Sequence, residues 1–311
     1  MKKIDKVYIS GLGAIGGAYG SIFFNYNPES VAVIADKKRI AAYQEKGIVI
    51  NNKEYSFNYS SPEEKNHKAD LILIAVKYHQ LEQAVKDIKN YVREDTIILS
   101  LLNGITSEEI VAKEYGADRI LHSFVVAIDA VREDTSINFS SIGKIVFGAN
   151  TETKTETENK KHMVDSVKDF FDRAGVTYTI PENIIRELWW KFMMNVGLNQ
   201  VSAILNAGYG VFQSIKEARD LMEAASMEVV SIAEKAGINL CRDDIYKCFE
   251  IINTLSPMGE PSMLQDIKAG RKTEVEMFSG TVIELGERYN IDTPVNKMLF
   301  NMIKTLEQMN D

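Results

Sequence analysis

Residues 6–20, KVYISGLGAIGGAYG, decide the architecture. The apolar run Lys6–Gly11 predicts a buried strand, and Ala14–Tyr26 predicts a helix. Between them, Gly11-Leu12-Gly13-Ala14-Ile15-Gly16 has the spacing G-x-G-x-x-G. In that spacing the first glycine permits a tight turn and the second lets the backbone approach a pyrophosphate. The third lets helix and strand pack closely. The helix N-terminus adds unpaired N–H groups and partial positive charge. The pattern is weak alone, but after a strand and before a helix it points to dinucleotide binding.

Outward from this turn, short apolar runs alternate with amphipathic stretches. Strands are expected at Val31–Ala35, Leu71–Val76 and Ile97–Leu101. Helices are expected at Lys38–Lys46, Leu81–Tyr91 and Ser107–Tyr115. Such alternation argues a parallel, doubly wound sheet. Ile120–Ala130 and Ile137–Phe147 read as later strands, with room for one antiparallel. Thr151–Lys161 (TETKTETENKK) reads as an exposed loop, followed by a helix over Met163–Ala174 and a strand over Val176–Ile180. Pro181 and Glu182 then open a long helix. From there the chain reads as nearly all helix, so the expected domains are 1–182 and 183–311.

The long helix, ELWWKFMMNVGLNQVSAI, is apolar almost all round, which predicts burial. One polar stripe interrupts it: Lys191, Asn195 and Asn199. A step of four residues turns a helix about 400°, so these side chains share nearly one face. Read alone, the stripe fits a wet face or a snorkelling lysine as well as a ligand site.

Composition narrows the class. A formal charge of −8 and the lack of a basic, aromatic-laced stripe argue against nucleic acid as a partner. No apolar stretch of membrane-spanning length is present, so no membrane partner is expected. The start MKKIDKVYIS imitates a signal peptide, but Asp5 and the glycines disagree with one, and a cytoplasmic protein is expected. The two cysteines, Cys241 and Cys248, are expected to be small buried hydrophobes on one helix. With four scattered histidines they form no metal-ligand cluster, so no metal site is expected.

Further candidates surround the two signals. Asp36 ends the second strand, 20 residues after Gly16, where an acid binds the ribose 2′-hydroxyl and favours NAD(H). Lys37, Lys38 and Arg39 follow at once, and one of them could instead hold a 2′-phosphate. Lys77 and Asn103 lie just past two expected strands, on the edge where such sheets bind ligands. Ser262 precedes an expected helix over Met263–Ala269, as its N-cap or as a carboxylate contact. Glu274 starts another expected helix, TEVEMFSG.

Taken together, GLGAIG, AVK, LLNG, WKFMMNVGLN, SMLQDIKAGRKTE and TPVNKML resemble the ketopantoate reductases, the 2-dehydropantoate 2-reductases of pantothenate and coenzyme A synthesis. The resemblance spans the chain. It implies an α/β fold, with a Rossmann-type domain joined to an all-α domain as in 6-phosphogluconate dehydrogenase, and a cleft between them. It implies Lys191 as general acid with Glu274 beside it, Asn195, Asn199 and Ser262 on the substrate, and Lys77 and Asn103 on the cofactor. The implied cofactor is NADP(H), the implied substrate a 2-oxo acid, and a homodimer is possible. The chain departs from the family at Asp36, where an arginine is usual, which keeps NAD(H) open. It also departs after Glu274, where Val275-Glu276 and Ser279-Gly280 replace the usual Ile-Asp and Asn-Gly. The competing readings are a reductase of another 2-oxo acid and a non-catalytic NAD(P)-binding sensor; the latter gives no reason for the second set of polar residues.

Overall fold

The computed structural model describes residues 2–65, 68–150 and 157–309. Its contacts divide the chain into two compact units. One runs up to Asn103 and includes Ser107–Ile184; the other holds Gly104–Thr106 and the chain from Ile185 onward.

The first unit begins with β1 (Val7–Ser10), α1 (Ala14–Tyr26), β2 (Val31–Ile34) and α2 (Lys37–Lys46). Three short strands follow, β3 (Ile48–Ile50), β4 (Lys53–Tyr55) and β5 (Asn58–Ser60). Next come β6 (Leu71–Ile74), α3 (Leu81–Asp87), β7 (Ile97–Ser100), α4 (Ser107–Tyr115) and β8 (Ile120–Ile128). The unit closes with β9 (Val131–Glu133), β10 (Ser136–Asn138), β11 (Ile142–Gly148), α5 (Thr157–Ala174) and β12 (Tyr178–Thr179).

Among the described residues the main sheet has the order β12-β11-β8-β7-β6-β1-β2-β5. From β5 to β8 all neighbours are parallel, and β11 runs antiparallel to β8. Both faces of the central strands are covered, which is why they are continuous apolar runs. Val7, Ile9, Val33 and Leu73 pack with Phe23 of α1 and Phe170 and Phe171 of α5. The alternate residues Tyr8, Ile34, Ile72 and Ile74 pack with Leu81 and Val85 of α3 and Val111 of α4. This period-two division is the pleat of a strand expressed as two cores.

Two expectations about this unit are corrected. The run expected over Ile137–Phe147 is two strands, broken where the Asp129 carboxylate accepts the N–H groups of Ser140 and Ser141 at 2.9 and 2.7 Å. Its first part, β10, joins a separate small sheet of order β4-β3-β10-β9. The expected loop Thr151–Lys161 falls partly outside the described residues, but α5 already runs from Thr157. Met163, Val167, Phe170 and Phe171 recur at helical spacing and are buried, so their apolar face outweighs the polar start. Lys160 is itself buried, its ammonium donating to the carbonyls of Ala117, at 2.5 Å, and Ile120.

The second unit is helical: α6 (Ile184–Leu205), α7 (Tyr209–Ser214), α8 (Lys216–Lys235), α9 (Arg242–Thr254) and α10 (Ser262–Lys268). A π-helical turn, Glu276–Gly280, leads into α11 (Thr281–Tyr289) and α12 (Pro294–Met309). The stretch expected as an ordinary helix from Glu274 is thus this wider turn. α6 is buried through Leu188, Phe192, Met193, Val196 and Val201. Gly197 lets α8 come close, since a Cβ there would lie 2.4 Å from Ser226 Oγ and 2.8 Å from the Met222 carbonyl oxygen. Cys248 is buried, whereas Cys241 is exposed at the N-cap of α9, contrary to the expectation that both lie in the core.

A buried polar ladder ties α6, α8, the π turn and α12. Gln200 donates to the Val196 carbonyl at 2.7 Å and to Asn296 Oδ1 at 3.3 Å. Ser279 Oγ lies 2.5 Å from Gln200 Oε1 and 2.9 Å from Asn296 Oδ1, with one proton to share. Asn296 donates to the Ala225 carbonyl and to Glu228, whose carboxylate also accepts the N–H groups of Val295 and Asn296 at the start of α12. Removing one member strands the others without water. Asn296→Leu is therefore expected to lower stability by about 2–3 kcal/mol in urea unfolding; a variant as stable as its parent would show the ladder to be incidental.

Candidate active site

The first group of site residues collects at the carboxyl edge of the parallel strands. Gly11 has φ +101°, and a Cβ there would lie 2.6 Å from the Ala75 carbonyl oxygen. A Cβ at Gly16 would lie 1.9 Å from the carbonyl oxygen of Gly11. Gly13 has the opposite surroundings, its nearest neighbour a full 3.7 Å from the same virtual atom. It is the N-cap of α1, and no side chain caps the helix. Two glycines thus close the turn while the third leaves a bare backbone and a helix N-terminus, a cradle that fits a pyrophosphate. Leu12 is buried in the turn, and Ala14 and Ile15 form the first residues of α1.

Asp36 follows β2 as the N-cap of α2, its carboxylate accepting the Arg39 N–H at 2.9 Å. The helix starts at Lys37, whose ammonium lies 3.5 Å from Glu63. Lys77 follows β6 as the N-cap of a short 3₁₀ turn, its N–H donating to Gln80 Oε1 at 3.3 Å. Asn103, half-buried, follows β7. Because the strands are parallel, these four loops share one edge of the sheet.

The second group lies in the helical unit. Lys191, Asn195 and Asn199 of α6 are each buried, with 8%, 7% and 6% exposure, so the stripe does not face water. Burial holds the Lys191 ammonium far below the ordinary lysine range, at about 8, and the Glu274 carboxylate partly offsets this. Glu274 is also buried. Its backbone carbonyl accepts the N–H groups of Met277 and Phe278 at the entry to the π turn. The preceding Thr273 is fixed by Glu307, which accepts from its N–H at 2.8 Å and from its hydroxyl at 2.7 Å.

Asn199 donates to Asn195 Oδ1 at 3.2 Å. Its own Oδ1 accepts from the Ser262 hydroxyl at 3.2 Å and from the Met263 N–H at 3.3 Å. The N-cap of α10 is Pro261, not Ser262, and proline has no side-chain acceptor for the free N–H groups. Asn199 supplies that acceptor from another helix. Ser262, the first residue of α10, is therefore joined to the stripe rather than capping its own helix.

Other polar residues went unseen in the sequence. Arg132 of β9 donates to the Leu12 carbonyl within the glycine turn and lies over the Tyr43 ring, 5.6 Å from its centroid. No local pattern signals it, because a separate hairpin brings it there. Glu108 is buried at the start of α4, accepting from the Ser107 hydroxyl at 2.8 Å and the Ser123 N–H at 3.3 Å; burial raises its carboxyl to about 7. In the sequence it looks like any acid in a first helical turn. Among the described residues no cluster of metal-ligating side chains occurs, and no helix is long and apolar enough to cross a membrane.

Comparison with known proteins accounts for both units. Residues 7–152 match the family described as "Ketopantoate reductase PanE/ApbA", and residues 183–307 match its C-terminal domain. The 2-dehydropantoate 2-reductase of Pyrococcus horikoshii is 30% identical over 309 residues, covering 98% of each chain. A D-mandelate dehydrogenase solved with NADH and anilino(oxo)acetate superposes with a TM-score of 0.86 at 24% identity, covering 98% of this chain and 99% of that one. A dimeric ketopantoate reductase from Staphylococcus aureus superposes at 0.79 with 19% identity, over 98% of this chain and 100% of that one. With both units matched and a relative aligned almost end to end, the chain belongs to the ketopantoate reductase family.

Proposed function

We propose that the chain reduces 2-dehydropantoate to pantoate with a reduced nicotinamide dinucleotide. The observation that carries this is Lys191: a buried ammonium, opposed by its surroundings yet attended by a buried carboxylate, on the helix face that also presents two amides. The family membership and the Pyrococcus relative support the substrate. The bare glycine turn supports the dinucleotide, with Asp36, Lys37, Lys77 and Asn103 on the same sheet edge. When bound, the reduced nicotinamide supplies a hydride to the ketone carbon.

As that carbon is reduced, negative charge develops on the carbonyl oxygen. Lys191, protonated, stabilises the charge and delivers the proton. A pKa near the working pH suits it, because the proton is present yet readily given up. Glu274 holds the ammonium in place and preserves its charge. Asn195 and Asn199 meet the substrate's hydroxyl and carboxylate groups, with Ser262 on the carboxylate. The dimeric Staphylococcus relative supports a homodimer as the assembly.

A second reading, reduction of a different 2-oxo acid, draws on the superposition with D-mandelate dehydrogenase bound to an anilino(oxo)acetate. The test is to follow loss of reduced nicotinamide with ketopantoate and a panel of other 2-oxo acids. Ketopantoate is expected to have the highest kcat/KM; another acid preferred by tenfold or more favours the second reading, and turnover of none favours a non-catalytic sensor.

Two variants address the acid. Lys191→Ala is expected to lower kcat by about 10²–10⁴-fold while dinucleotide binding persists; turnover within a few-fold of the parent would remove Lys191 from the chemistry. In the parent, the reduction rate is expected to fall as pH rises through about 8, where Lys191 loses its proton. Glu274→Gln removes the charge that keeps that proton on, so the break should move to lower pH. A break unmoved, or moved upward, would contradict the role given to Glu274.

A further inference from the structure

The surroundings of Asp36 bear on which dinucleotide is used, an inference that rests on reading the glycine turn as a dinucleotide site. Asp36 stands at the carboxyl end of β2. One carboxylate oxygen accepts the Arg39 N–H at 2.9 Å, and the other lies 3.4 Å from Arg39 Nε. Arg39 is thus folded back on Asp36 itself. Lys37 turns toward the β5 side, its ammonium 3.5 Å from Glu63. There it lines a groove of about 520 Å³ with Ile40, Gln44, Tyr59 and Glu64. The Ser61 hydroxyl donates to Glu63 at 2.9 Å, and together with Lys37 it holds that carboxyl below its usual range. Arg132 has its donors on the carbonyls of Leu12 and, at 2.6 Å, Asp134.

Lys37, Arg39 and Arg132 are therefore each matched to an acid or a carbonyl already in place. What this edge offers an incoming ribose is a carboxylate. A 2′-hydroxyl donates a hydrogen bond to it. A 2′-phosphate would set a further charge of about −1.5 to −2 beside it; Lys38 is exposed next to Asp36, but Lys37, Arg39 and Arg132 would each have to leave a present partner to meet that charge. We propose that Asp36 makes this chain select NADH over NADPH.

The test is a titration of the full-length protein with NADH and with NADPH at one ionic strength, without oxo acid, following nicotinamide fluorescence. NADH is expected to bind about tenfold more tightly or better. Asp36→Asn keeps a capping oxygen for α2 while removing the charge, and is expected to narrow the gap by strengthening NADPH binding. Lys37→Ala is expected to leave the ratio of the two affinities unchanged. NADPH binding as tight as NADH in the parent, an unchanged ratio in Asp36→Asn, or selective loss of NADPH binding in Lys37→Ala would each overturn the assignment. Binding of neither nucleotide would instead overturn the dinucleotide reading on which it rests.

Discussion

The helical unit depends on how a buried charge and two buried amides are accommodated on an apolar helix. Taking an ammonium out of water is costly unless partners replace the lost hydration. Here burial lowers the Lys191 pKa, and the Glu274 carboxylate keeps the charged form within reach. The amides are satisfied in sequence: Asn199 donates to Asn195 and accepts from Ser262 and Met263. In this way the polar stripe decides where α10 begins, because Asn199 supplies the acceptor that Pro261 lacks.

The supporting framework is also polar. The Gln200, Ser279, Asn296 and Glu228 ladder starts on α6 one residue past Asn199, and three of its four members have no exposure. It seats the π turn against α6, and π-helical turns are frequent at functional sites. Glu274 enters that turn with its carbonyl bonded to Met277 and Phe278 and its neighbour Thr273 held by Glu307. The position of the carboxylate thus follows from backbone bonds on one side and a side-chain clamp on the other. Ser279, noted above as a departure from the resemblance, takes part in this ladder.

How much of this could be read from the residues alone varies with the range of the interaction. The glycine turn and the strands beside it were legible because each is a local pattern: steric room at Gly11 and Gly16, and apolar runs covered on both faces. The polar stripe was legible as a stripe, but whether it faced water was not, since that depends on elements distant in the chain. The three-residue strands of the small sheet carry too short a pattern to distinguish from turns. The start of α5 was hidden by polar residues whose apolar counterparts come only a turn later. For Ser262 the residues alone leave two readings, an N-cap or a carboxylate contact; the helix starts one residue earlier than expected, so the cap reading fails and the hydroxyl donates to Asn199. Gln200 and Arg132 were illegible for one reason: their partners lie far off in sequence, Asn296 and Ser279 for one, Leu12 for the other.

The central claim is that Lys191 is an ammonium made acidic by burial, held ready to give up its proton. The direct measurement is an NMR titration of the lysine side chains in the intact protein, with the Lys191 signal assigned by its loss in Lys191→Ala. The account predicts a midpoint near 8 for that residue. A midpoint at the ordinary lysine value of about 10.4 would contradict it.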